Sequence, residues 1–158
     1  MNGRIKNEYY VGNISSIIKK TNDLIDYCRS KKYKIIFTRH IEKGSNCEFA
    51  LNSKNSEIIS KLHIKESDIV IKKNKINPFY KTNLEEELKG IKKIITCGIL
   101  TNLCVRSLVE CAYDREFDIT IIPDCCKAFD TKTHEFTIKD LKATREEIHV
   151  LNLSQFIS

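Results

Sequence analysis

Residues 93–123 read KIITCGILTNLCVRSLVECAYDREFDITIIP, and their pattern decides the fold class. KIITCG, 93–98, is a short apolar run of the kind used by a strand buried on both faces. Cys104 then opens a helix whose Val105, Leu108, Val109 and Ala112 share one face. DITIIP, 118–123, is a second apolar run, which Pro123 is expected to end. Short apolar strands separated by an amphipathic helix predict parallel pairing.

The alternation extends in both directions. Asn13 can cap a helix from Ile14, with Ile14, Ile17, Ile18, Leu24, Ile25 and Cys28 as its buried stripe. YKIIFT, 33–38, reads as a strand, and Gly44, Ser45 and Asn46 as part of a loop. SEIISKLHI, 56–64, predicts a short helix and DIVIKK, 68–73, a strand. TNLEEELKG, 82–90, predicts a compact helix, with Thr82 and Glu85 as a capping box and Gly90 as the stop. HEFTIKDLKA, 134–143, follows as a helix and IHVLNL, 148–153, as a last strand. Residues 1–158 are therefore read as a single domain. It is a three-layer α/β/α fold with a mainly parallel, Rossmann-like sheet of about five or six strands and helices on both faces.

Composition narrows the function. The 158 residues are 41% hydrophobic and 30% charged, a globular profile. No apolar run approaches the roughly 18 residues that span a bilayer, and MNGRIKNEYY lacks the apolar core of a signal peptide. A cytoplasmic protein with no membrane partner is expected. The seven cysteines include no CxxC, so free thiols are expected rather than disulfides or a zinc site. The net charge of +6 is spread along the chain, without aromatic residues interleaved to stack bases, which argues against nucleic acid as a partner.

Two residues draw attention as chemistry. Cys104 stands at a predicted helix N-terminus, where free N–H groups and the helix dipole favour a thiolate and can hold an oxyanion. A buried apolar role is the competing reading. Lys73 closes a strand at its carboxyl end, the side on which ligands sit in such sheets. From there it could favour the thiolate or handle a proton. Lys72 and Lys75 are neighbours with equal claims by composition.

DIVIKKNKINPFYKTNLEEEL, ITCGILTNLCVRSLVECAYD and ITIIPDCCKAF together resemble the isochorismatase-like cysteine hydrolases. The family pattern is a strand-ending lysine, a Phe-aromatic-Gly-Thr-x-Leu segment and Gly-Val-x-Thr-x-x-Cys-Val. Lys73, FYKTNL at 79–84 and GILTNLCV at 98–105 match it, with Lys81 in place of the glycine. TRH at 38–40, Asp124 and His134 also fall where family members have similar residues. The resemblance implies an Asp, Lys and Cys triad. Cys104 takes the nucleophile's place and Lys73 the lysine's, because only Lys73 lies six residues before Phe79. It further implies a cis peptide between Ile99 and Leu100, and an oxyanion hole built from the Leu100 and Cys104 N–H groups. Phe79 could wall the substrate pocket or pack in the core.

The family's aspartate ends a first strand, and these residues do not contain it. MNGRIKNEYYVG resembles the segment just after it. An additional strand and lead-in of about 10 to 20 residues upstream is the favoured expectation, and a shortened protein the alternative. No metal or other cofactor is expected. The family's nicotinamidases bind zinc through a segment beginning Asp-x-His, whereas TRHIEKGSNCE offers only His40, read as a polar loop residue. His63 and His149 are read as structural, and His134 as a residue that caps or packs near the last helix. A cysteine nucleophile implies attack on a small amide or ureido carbonyl. The alternative is an impaired member that binds a small molecule or a partner subunit. A homo-oligomer is expected by analogy with the family.

Overall fold

The structure, a computed structural model, describes residues 11–44 and 49–158. Ser45 and Asn46 of the expected loop, Cys47 and the first ten residues lie outside that range. The chain runs through α1 (Ser15–Ser30), β1 (Ile36–His40), β2 (Ile69–Lys73), α2 (Leu84–Glu87) and β3 (Lys93–Ile99). It continues through α3 (Arg106–Tyr113), β4 (Asp118–Lys127), α4 (Thr131–Thr144), β5 (His149–Val150) and α5 (Leu153–Ile157). Every strand pair is parallel, as the apolar runs predict. Among the described residues the strands form two sheets, β1–β2 and β3–β4–β5, rather than one. Register in the first sheet sets Ile36 opposite Ile69 and His40 opposite Lys73, so β1 and β2 finish level.

Among the described residues β4 is the only strand flanked on both sides, and its side chains build both layers of core. Ile119 and Ile121 pack with Val105, Val109 and Ala112 from the α3 side and Leu141 from α4. Ile122 and Cys125 pack with Leu24 of α1 and Leu153 of α5. Helices therefore cover both faces. Val109, Ile121 and Leu141 are fully buried, and each such side chain contributes about 1.5–3 kcal/mol over its exposed state. Ile71 joins the α3 layer, which ties the two sheets together on that face. Arg106 bonds Glu110 at 3.0 Å and Asp140 at 2.7 Å, linking α3 to α4.

Several boundaries differ from the sequence reading. β4 does not stop at Pro123. It runs on to Lys127, because the register with β3 breaks between Thr96 and Gly98 and leaves the proline where no N–H is needed. Residues 56–64 form no helix. A 3-10 turn at Lys54–Ser56 is pinned by Arg39, whose guanidinium donates to the Ser56 carbonyl and at 3.1 Å to its Oγ. α2 is a single turn, with Thr82 Oγ1 accepting from Leu84 N–H at 3.2 Å. α4 begins at Thr131, because Asp130 accepts from Thr133 N–H at 2.8 Å and caps it. β5 is cut short when Asn152 and Gln155 form a capping box and start α5. Asn13 accepts from Ser15 N–H at 2.9 Å, at the start of α1.

Candidate active site

The carboxyl ends of both sheets meet at one point. Lys73 closes β2 and is 3% exposed. Its Nζ lies 3.3 Å from Cys104 Sγ, 3.3 Å from His40 Nδ1 and 3.0 Å from the Lys75 carbonyl. Strand direction and strand length thus place a cation from one sheet against a thiol from the other. None of those three partners is a carboxylate. Among the described residues this buried ammonium has only neutral partners, an arrangement that is costly and favours an anion beside it.

Cys104 is reached from β3 through a wide π-type turn, Thr101–Val105. The Ile99–Leu100 peptide before it is cis. The N–H groups of Leu103 and Val105 both turn back onto the Leu100 carbonyl at 3.2 Å. Thr101 is fully buried, and its hydroxyl meets His134 Nδ1 at 2.9 Å. Gly98 adopts φ +138°, where a side chain is strained, although an added Cβ would meet only Val105 Cγ2 at 3.9 Å. The glycine is required by backbone conformation rather than by space. Lys81, in the family's glycine position, has φ +51°.

His40 is not a loop residue. It is the last residue of β1, and parallel register brings it beside Lys73. Its Nδ1 faces the ammonium, so its proton sits on Nε2, 3.6 Å from Glu42 Oε1. Burial lowers its pKa and the Lys73 charge lowers it further, against Glu42. The imidazole is therefore neutral near pH 7, and its edge contact with Phe49 has ring centroids 5.6 Å apart. Its place was hidden because YKIIFT ends two residues too early. His134 lies inside α4, and burial lowers its pKa.

Phe79 reaches both the core and the cleft. It packs with Ile71, Leu84 and Val105, lies under the Arg115 guanidinium at 4.4 Å, and lines the cleft that leads to Cys104. That cleft, about 2280 Å³, opens between β1 and β3. Asp124 is occupied elsewhere, paired with Lys20 at 3.3 Å and accepting from Leu153 N–H at 2.9 Å. Asp23 and Asp26 are exposed on α1. Among the described residues no three His, Cys, Asp or Glu side chains are grouped to hold a metal, and no helix is long and apolar enough to cross a membrane.

The isochorismatase domain profile matches residues 2–150. The chain belongs to the isochorismatase family. Nicotinamidase 3 of Arabidopsis thaliana is 29% identical over 140 residues, covering 79% of this chain and 71% of its own length. A ureidoacrylate amidohydrolase of Acinetobacter baylyi is 32% identical over 89 residues, 54% of this chain and 36% of its own. The cysteine hydrolase of Pseudomonas syringae pv. phaseolicola superposes with a TM-score of 0.85 at 19% identity, covering 98% of this chain and 84% of that one. This isochorismatase-family hydrolase thus shares with its relatives the α/β fold that carries Lys73 and Cys104 to one point.

Proposed function

We propose that this family hydrolase cleaves the C–N bond of a small amide or ureido substrate through a thioester on Cys104. The observation that carries the reading is the 3.3 Å approach of Lys73 Nζ to Cys104 Sγ across two sheets. The ammonium favours the thiolate, which attacks the carbonyl carbon. The Leu100 and Cys104 N–H groups hold the oxyanion. The C–N bond then breaks, the nitrogen leaves with a proton, and water hydrolyses the thioester. The resemblance implies an aspartate as base for the thiol proton. Phe79 forms an apolar wall. The names of the nicotinamidase and ureidoacrylate amidohydrolase relatives support an amide or ureido bond.

That no carboxylate stands among the hydrogen-bond partners of Lys73 in the described residues favours the second reading, an impaired member that binds without turnover. Incubation with a panel of small amides and ureido acids, followed by acid quench and intact mass, separates the two. An acyl adduct that maps to Cys104 and vanishes in Cys104→Ala is expected. Saturable binding with neither adduct nor released ammonia would leave only the binding role.

A further inference from the structure

We infer that His134 is a positioning residue: its neutral imidazole accepts from the Thr101 hydroxyl and so fixes the turn that presents Cys104. The inference rests on the reading of Cys104 as the nucleophile. The Thr101–Val105 turn has no side-chain cap at its start. Its Leu103 and Val105 N–H groups share one acceptor, the Leu100 carbonyl, both at 3.2 Å. Wide turns of this kind are rare and tend to occur at functional sites. Among the described residues its side chains make two hydrogen bonds to other elements. One joins Lys73 Nζ to Cys104 Sγ at 3.3 Å, between the reacting groups themselves. The other joins Thr101 Oγ1 to His134 Nδ1 at 2.9 Å, three residues before the nucleophile.

The imidazole stands on a firm support. His134, Thr137, Ile138 and Leu141 recur at helical spacing along one face of α4. Thr137 and Leu141 are buried there, and Ile138 packs on the α3 layer of core. Asp130 caps the helix one turn before His134. Asp140 accepts from Arg106 at 2.7 Å, and Arg106 begins α3 directly after the turn. The turn is thus held from α4 at both ends, Thr101 through His134 and Arg106 through Asp140.

Burial sets the direction of the Thr101 bond. Thr101 is fully buried, and among the described residues His134 is the only partner of its hydroxyl. The hydroxyl therefore donates to Nδ1, and the ring proton sits on Nε2. Protonating the ring puts a hydrogen on Nδ1 as well. Two donors then face each other, and Thr101 must turn its hydroxyl away from that partner. Burial opposes this protonation, Glu135 on α4 favours it, and Lys127 at the end of β4 opposes it. The turn itself, TNLCV, carries no charged side chain. Asp130 bonds Thr133, and Arg106 is paired with Glu110 and Asp140.

The test is the rate of Cys104 alkylation by iodoacetamide in the 158-residue protein, read by peptide mass mapping from pH 5 to 8. His134→Leu removes the hydrogen bond and is expected to slow alkylation about fivefold or more at pH 7.5. His134→Asn keeps a polar atom near the Nδ1 position but does not titrate, and is expected to stay within about twofold of wild type there. Thr101→Val is expected to match His134→Leu, and the double variant to be no slower than either. Asp130→Ala loosens the same helix without touching Thr101 and is expected to leave the rate within about twofold. From pH 7 to 5 the wild-type rate is expected to drop about threefold further than the His134→Asn rate. His40 titrates in the same range but stands in both proteins, so that difference reports His134 alone. A His134→Leu rate less than about fivefold below wild type, with wild-type Cys104 faster than N-acetylcysteine, overturns the inference and spares the nucleophile reading. Wild-type Cys104 no faster than N-acetylcysteine overturns both. His134→Asn or Asp130→Ala as slow as His134→Leu, or parallel wild-type and His134→Asn profiles, also overturns the inference. Should His134→Leu not fold, the Thr101→Val rate and the two pH profiles decide.

Discussion

Replacing Lys73 by methionine keeps an unbranched chain of similar length and removes the charge. Two unit charges 3.3 Å apart attract by about 5 kcal/mol at an effective dielectric of about 20. Cys104 is half-buried and lines an open cleft, so water raises that dielectric to about 40–80 and leaves about 1.3–2.5 kcal/mol. That energy converts to a factor of about ten to seventy. The assay is alkylation by iodoacetamide at pH 7 under pseudo-first-order conditions, with the Cys104 peptide followed by mass spectrometry. It needs no substrate, and peptide mapping separates Cys104 from the other free thiols. Lys73→Met is expected to slow Cys104 alkylation by about ten to seventy times. Lys72→Met, one residue away but exposed, should change it by less than about twofold. If Lys73→Met alkylates within twofold of wild type, the ammonium does not govern the thiol and the proposed mechanism loses its basis.

Acid sensitivity follows from two histidines. Burial lowers the pKa of both His40 and His134, so between their folded values and the unfolded value near 6.5 the unfolded chain binds more protons. Stability should fall as pH drops from 7 through that window, and the paired His40→Gln, His134→Gln variant should lose less Tm between pH 7 and 5. Asp130 acts lower: its Thr133 hydrogen bonds depress its pKa below 3.8, so its contribution is present above that value and is lost as pH falls further. Asp130→Ala removes the α4 cap and should lower Tm by about 2–4 °C by calorimetry. Lys81→Gly relieves the left-handed backbone at φ +51° and should add about 0.5–1 kcal/mol by urea denaturation after the glycine's greater unfolded entropy is counted.

The parallel strands were legible because KIITCG and DIVIKK are apolar runs with no polar face, and α3 because its stripe repeats at helical spacing. Of the candidate site, Cys104 stood out by its position at a helix start, and Lys73 only through the family resemblance, since Lys72 and Lys75 had equal claims by composition. What escaped is set by distant partners. His40 gains its role only from register with Lys73. SEIISKLHI has helical spacing, but Arg39 from β1 claims Ser56 and holds the chain open. Pro123 ends strands by local rule, yet the register break that spans it, between Ile121 and Cys126, excuses its missing N–H. The split into two sheets has no local signature either, because it concerns which edges are left without a neighbour.

The two reactive groups belong to different sheets, Lys73 to the first and Cys104 to the turn that follows the second. Their separation therefore works as a gauge across a seam. Any load that shifts one sheet against the other changes that gap before it disturbs either sheet's own ladder. In the proposed mechanism chemistry and shape share one coordinate, so a reporter of seam width would also report the strength of the proposed nucleophile.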